Sequence, residues 1–538
     1  MRKFLAFILS LFILTSCGID KDTSNKSDST SAFSATYSEK EPLRIVSGSE
    51  NRELEPIIEE YAKENKENIQ VDYLGSLDIM RMLQDGNISY DAVWPASSIW
   101  LNLGDSNHIL KYAETTSQTP VVFAIKKSLA QSLGFVGKEV KTSEIIDAIR
   151  NKKLKFTMTS ATQSNSGASA YLGFLNALSK DENGLSSEDL ENPKLKEDIT
   201  ALLGGVERSS GSSNWLVDLF LKGDYDAMVN YEQLVIAANN KLIKEGKEPL
   251  YIIYPVDGLS ISDSPLAFVD KNDSKKEEVF KKFQDYILSD EAQDKIEKTG
   301  KRSAFGTVRD ANKDVYKKEW GIDLEKTLSP VRFPKADVIL KALNTYQSEF
   351  KKPSFTIYVL DYSGSMADGG YDQMIRALGE VLIADKAREN LLLGTKDDIT
   401  YVLPFSDDVM AHLMAKGNDQ ELSDLYTDLE SNYTLQNSTY MYEAIIEALN
   451  IIKENKDNLS SYTPAIVVLT DGMPNGFVDF DGLKDVYEKL DYDVPIFGIL
   501  FGNARREDLE EIAEMSRARV FDGRDDMIKA FQNVKGYN

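Results

Sequence analysis

Short apolar runs alternate with amphipathic stretches along most of the chain. Residues 43–46 read as a strand and residues 47–51 as a turn. Leu54, Ile57, Ile58 and Tyr61 then recur at helical spacing. The same strand, serine-bearing turn and helix return at residues 71–76 and again at 90–98, an alternation that predicts a parallel sheet. Closing helices are expected at 280–296 and 338–350. After Lys351-Lys352-Pro353 the pattern starts afresh. Strands are expected at 355–360, 399–403, 465–469, 494–500 and 519–521, with a helix stripe of Met374, Ile375, Leu378, Val381 and Leu382 and a charged helix at 506–516. This is a second α/β unit of about 185 residues, large enough for its own core.

In the second unit, chemistry gathers at the ends of strands. The first strand breaks into Asp361-Tyr362-Ser363-Gly364-Ser365. Asn437-Ser438-Thr439 opens an amphipathic segment with Met441, Ile445, Ala448, Leu449 and Ile452 on one face, and the run 465–469 ends in Thr470-Asp471-Gly472. Ligands of open α/β sheets sit beyond the carboxyl ends of strands. Asp361, Ser363, Ser365, Thr439 and Asp471 therefore offer five oxygens to one crevice, a donor set suited to Mg²⁺ or Mn²⁺.

This order of motifs, from about Pro353 to the C-terminus, resembles the von Willebrand factor A (VWA) domain, a Rossmann-like doubly wound fold. The resemblance implies a metal-ion-dependent adhesion site. Asp361, Ser363, Ser365, Thr439 and Asp471 would hold one divalent cation, directly or through water, leaving a coordination position for an acidic side chain of a protein partner. Where many members have Gly-Gly or Gly-Ser before the threonine, this chain has Asn437-Ser438.

Residues 41–350 resemble a type II bacterial extracellular solute-binding protein, a two-lobed α/β module of the periplasmic-binding-protein kind. Residues 119–127 look like its crossover strand into a second lobe, 156–170 like that lobe's ligand-facing strand, loop and helix start, 225–231 and 254–258 like later strands, and 265–269 like the return. The resemblance implies a cleft, for which Ser47, Ser49, Ser76, Ser97, Ser98, Ser164, Asn165, Ser166 and Tyr231 are the candidates. Hydroxyls and helix N-termini together suit a small polar or anionic solute. Taken one at a time, the same serines serve as helix caps and turn formers.

Arg2 and Lys3 followed by apolar residues 4–14 make an export signal too short to span a bilayer. Its ending, Leu14-Thr15-Ser16-Cys17, resembles a bacterial lipobox. The expectation is a signal peptide over 1–16, a lipidated Cys17 anchoring the protein to the outer face of a cell membrane, and a polar flexible tether over 17–40. Cys17 is the sole cysteine, which excludes an internal disulfide. With 87 acidic against 62 basic residues the net charge is −25, which argues against nucleic acid as a partner.

No catalytic constellation stands out. His108 and His412 lie apart, Asp361-Tyr362-Ser363-Gly364-Ser365 lacks the flanking glycines of a hydrolase elbow, and Gly204-Gly205 with the nearby serines forms no phosphate loop. The expected protein is a membrane-anchored binding protein rather than an enzyme. Its alternatives are a receptor that delivers solute to an ABC permease, with the second unit as a docking accessory, and a metal-assisted hydrolase.

Overall fold

The computed structural model describes residues 32–86, 88–179, 184–389, 392–417, 419–502, 504–524 and 527–537. The expected export signal, Cys17 and the first part of the expected tether lie outside the described residues. The remainder builds three sheets, each carrying helices.

The first lobe has the strand order Phe33–Ala35, Ile69–Tyr73, Leu43–Ser47, Ala92–Trp94, Pro265–Val269, Leu110–Thr115. Leu43–Ser47 runs parallel to both neighbours, as the strand–helix alternation requires, and Pro265–Val269 returns antiparallel. Residues 33–40, expected to continue the tether, depart from it. Phe33–Ala35 pairs antiparallel with Ile69–Tyr73, and the backbone N–H groups of Tyr37 and Ser38 donate to the Asn68 side chain at 2.7 and 2.9 Å. The half-buried Phe33 and buried Ala35 supply what a purely polar tether lacks, apolar surface to set against ordering entropy.

The second lobe orders Leu250–Ile253, Thr119–Lys126, Ala227–Tyr231, Phe156–Thr159 and Val206–Ser210, with Ser260–Ser262 also pairing with Thr119–Lys126. Residues 254–258, expected as a strand, form the turn that follows Leu250–Ile253. Pro255 and Gly258 suit that turn. The closing segment is stapled to this lobe by a buried ion pair. Arg302 donates through Nε and Nη2 to the two Glu232 oxygens at 2.9 and 2.8 Å, and its backbone exchanges two hydrogen bonds with Gln118.

Helix Ala336–Thr345 runs into a π-helical turn, Tyr346–Phe350, and only three residues later the last sheet begins. Its order is Leu413–Lys416, Ile399–Phe405, Ser354–Asp361, Thr463–Thr470, Ile496–Leu500, Val520–Asp522, parallel except for the first edge strand. The two central strands, mostly apolar and almost wholly buried, lie side by side and deliver Asp361 and Asp471 to the same edge of the sheet.

This sheet's unit sits against the second lobe. The Arg208 guanidinium, 3% exposed, donates to Asp493 Oδ2 at 2.8 Å and to the Arg517 carbonyl at 2.9 Å, while the Tyr225 hydroxyl donates to the same Asp493 oxygen at 2.9 Å. Removing one member of a buried pair leaves an uncompensated charge, at a cost of about 3–5 kcal/mol. Arg302→Met should therefore lower the urea midpoint of the lobes strongly. The double variant Arg302→Met/Glu232→Leu should recover most of that loss, as read by denaturation of both variants.

Candidate functional site

Two sites are built by these elements, one at the edge of the last sheet and one between the lobes. At the sheet edge, Asp361 is fully buried. Its Oδ1 accepts from the Ser363 backbone N–H at 2.7 Å and its Oδ2 from the Thr470 hydroxyl at 2.6 Å. The hydroxyls of Ser363 and Ser365 lie 3.0 Å apart, and Ser365 donates to Asp471 Oδ1 at 2.7 Å. Thr439 is brought in by its backbone, whose N–H donates to Asn475 Oδ1 at 2.9 Å while its carbonyl accepts from Asn475 N–H at 3.1 Å. Gly472 has room for no side chain without crowding, since a Cβ there would lie 3.1 Å from Thr439 Oγ1 and 3.5 Å from Ser365 Oγ. All five oxygen donors read from the sequence thus converge, across 110 residues of chain from Asp361 to Asp471.

Asn437-Ser438, the unusual pair before Thr439, is held in place. Ser406 donates through its hydroxyl to the Ser438 carbonyl at 2.6 Å, and its carbonyl accepts from Tyr440 N–H at 2.8 Å. Helix Met441–Glu454 starts two residues beyond Thr439, with Tyr440 as the cap residue and no side-chain cap.

Burial is the main cause lifting the carboxyls of both Asp361 and Asp471 above their usual range. For Asp361 it is opposed by bonds from Thr470 and Ser363, and for Asp471 by the bond from Ser365. Among the described residues the hydrogen-bond donors to both carboxylates are hydroxyls and a backbone N–H, with no basic side chain. Two buried carboxylates without a counter-charge, ringed by hydroxyls, form a donor set whose charge a divalent ion would balance. Among the described residues no group of three or more His, Cys, Asp or Glu could hold a metal ion, and at this site hydroxyls make up the majority of the donors.

Between the lobes, direct hydrogen bonds bring the two halves together. Trp100 Nε1 of the first lobe donates to Asn165 Oδ1 at 2.6 Å, Asn214 to the Ser49 carbonyl at 2.9 Å, and Gln233 to the Glu50 carbonyl at 3.1 Å. A cavity of about 170 Å³ remains, and Ser49, Ser76, Ser164 and Asn165 line it. The other five candidates do not. Ser47 donates to the Trp94 carbonyl at 3.1 Å, Ser97 caps helix Ser98–Gly104, and Ser98 donates its N–H to Asp263. Ser166 lies 2.8 Å from Thr159 Oγ1, and Tyr231 accepts from Asn165 at 2.8 Å. These side chains serve the internal framework of the lobes instead.

Sequence reading also passed over residues that matter here. Glu50, Asp78 and Ser213 line the cavity, as do side chains of the last unit. In the sequence Ser213 is one of the serines near Gly204-Gly205, which form no phosphate loop, and Glu50 is one acidic residue among 87.

Behind the cavity wall, Lys301 is fully buried and donates to Asn51 Oδ1 at 2.9 Å. Burial pulls its ammonium down from 10.5 to about 8, with Glu50 and Glu53 opposing. The folded protein then binds fewer protons here than the unfolded chain between those two values. Stability attached to Lys301 is therefore greatest above 10.5 and is lost as pH falls through 8. Comparing wild type with Lys301→Met by denaturation at two pH values on either side of 8.5 should isolate this term. The wild type should gain about 2 kcal/mol relative to the variant on going from pH 7.5 to 9.5.

Residues 43–302 match the family model of the bacterial extracellular solute-binding protein, and residues 357–534 match that of the von Willebrand factor type A domain. The chain thus carries one domain of each kind. Solved structures similar to it include the ferric binding protein from Campylobacter jejuni, at 16% identity over 56% of this chain and 98% of that one, TM-score 0.42. Another is the periplasmic binding protein AfuA from Actinobacillus pleuropneumoniae with exogenous fructose-6-phosphate bound, at 13% identity over 57% and 98%, TM-score 0.44. A periplasmic thiamin binding protein aligns at 13% identity over 56% and 92%, TM-score 0.44. No curated protein matches the sequence. Among the described residues no helix is long and apolar enough to cross a membrane.

Proposed function

We propose that this chain, an extracellular solute-binding domain joined to a VWA domain, is a membrane-anchored binding protein with two ligands. Through one Mg²⁺ or Mn²⁺ held by Asp361, Ser363, Ser365, Thr439 and Asp471 it takes an acidic side chain of a protein partner. Between its lobes it takes a small polar or anionic solute. Cys17 is the lipidation site in this reading, and residues 18–32 the span between membrane and first lobe.

The observation that carries the metal half is the meeting of two buried carboxylates and three hydroxyls with no basic side chain among the described residues to balance them. An exposed apolar rim supports the partner half. Phe477 is 92% exposed and packs edge-on against Tyr440 with ring centres 5.5 Å apart, and Met473, two residues from Asp471, is 58% exposed. Large apolar side chains left in water beside a site of this kind are the usual anchors of a protein interface. The solute half is supported by the cavity between the lobes and by the helix starts that face it.

Thermal unfolding of the full protein with and without Mg²⁺ or Mn²⁺ tests the metal half. At about a hundred times its Kd the ion should add roughly 2.7 kcal/mol to the VWA transition. Asp361→Ala should abolish that response and leave the transition of the lobes in place. Retention of the full response by Asp361→Ala, or the absence of any response in wild type, would rule the metal reading out. A displayed peptide library with a central Asp or Glu should yield binders that EDTA releases, and Phe477→Ser should weaken them about tenfold while leaving the metal response intact, in line with the loss of one aromatic anchor.

A further inference from the structure

The cavity between the lobes has a third wall. Helix Met527–Gly536 of the VWA domain lies across it, so that Lys529, Gln532 and Tyr537 line it together with Arg519 and Phe521 from the preceding strand region. This helix touches both lobes. Lys529 Nζ sits 2.8 Å from Asp78 Oδ1 of the first lobe. On the second lobe, Gln163 donates to the Gln532 carbonyl, and Ser209 donates to the Gly536 carbonyl at 3.4 Å. Gly536 presses so closely on Gln163 that a Cβ would overlap its side chain. The Tyr537 ring stands edge-on to Trp215 at 5.0 Å, and the Arg519 guanidinium lies beside the pair, 5.7 Å from the Trp215 ring and 5.6 Å from that of Tyr537.

The lobes aim fixed partial charges at the same space. Helices Ser76–Asp85, Asn165–Ser179 and Ser213–Lys222 all begin at the cavity, with their N–H ends toward it. Three helix N-termini favour negative charge. Glu50 also lines the cavity, but its carboxyl lies over Gly48, where a Cβ would meet both of its oxygens. Burial pushes this carboxyl up, with Lys301 opposing. The other carboxylate, Asp78, is neutralised within the wall. Burial pushes its carboxyl up, but Lys529 and Arg81 outweigh that and hold it below its ordinary value.

We propose that the solute site is composite, with Lys529 and Arg519 of the VWA domain as binding residues for a small anion whose charged group sits at the helix starts. This rests on the reading of the first domain as a solute binder and adds to it the neighbouring domain as part of the binding surface. Because one helix bridges both lobes, the lobes separate only when Lys529, Gln532 and Gly536 let go of one of them. Solute exchange and seating of the VWA domain are then one event.

Isothermal titration of the full protein with glycerol 3-phosphate, malate, inorganic phosphate and putrescine tests this. At least one of the three anions should bind, and putrescine should not. Lys529→Ala should weaken that anion at least tenfold, and Lys529→Arg should keep it within threefold of wild type. Circular dichroism should report unchanged folding of each variant. An anion that binds Lys529→Ala as tightly as wild type would overturn the composite site while leaving a solute binder made of the lobes alone. Preference for putrescine would overturn the assigned solute class, and failure of every probe would overturn the solute reading altogether.

Discussion

Asp361 and Asp471 end adjacent parallel strands, and the structure of the C-terminal domain depends on how their burial is tolerated. A carboxylate out of water needs either a counter-charge or several donors. Here the described donors are Thr470, Ser365 and the Ser363 backbone. That need dictates the surroundings. Ser406 fixes the loop before Thr439, and Gly472 lets the Thr439 and Ser365 hydroxyls approach. Gly502, at φ +54°, leaves room beside Asp471, where a Cβ would lie 2.7 Å from the Asp471 Cβ. A substitution at any of these positions acts on the site without supplying an oxygen to it.

The two domains are joined more closely than their separate cores require. Three residues connect the π-helical turn Tyr346–Phe350 to the first strand of the VWA domain. Arg208 then buries a guanidinium at the seam, where Asp493 and the Arg517 carbonyl accept from its two terminal nitrogens. Such a contact adds little attraction beyond the water it replaces, but it is unforgiving of misalignment. It favours one seating of the VWA domain on the second lobe over a range of loose ones. The aromatic cluster of Trp215, Phe521 and Tyr537 around Arg519 extends the same seam toward the cavity.

Much of the fold was legible because its strands are apolar on both faces and punctuated by turns. Residues 43–46, 119–127, 265–269 and 355–360 appear as strands within a residue or two of their observed limits. What escaped were elements without that signature. Leu110–Thr115 is a largely exposed edge strand with Lys111 and Glu114 in it, and Phe33–Ala35 is too short to show a period. Met527–Gly536 was not singled out, although Met527, Phe531 and Val534 are buried in the domain core. The convergence of the five oxygen donors was legible from three motifs, each tied to a strand end or helix start. The cavity was only half legible. Serines at turns are read equally well as caps, and Ser97 is one. A wall contributed by a helix more than three hundred residues away leaves no local trace in the sequence of the lobes.

The three-residue strand Phe33–Ala35 occupies what would otherwise be the bare margin of the first sheet. With the Ile69–Tyr73 backbone already engaged on that side, the lobe offers a stranger's chain far less of a template to zip onto. It also sets where tension enters the molecule. A tug on the preceding residues falls first on a ladder three pairs long at the periphery, which can peel away while Leu43–Ser47 and the helices behind it stay folded. Under a lipid-anchored N-terminus, that margin would give way before the parts that do the binding.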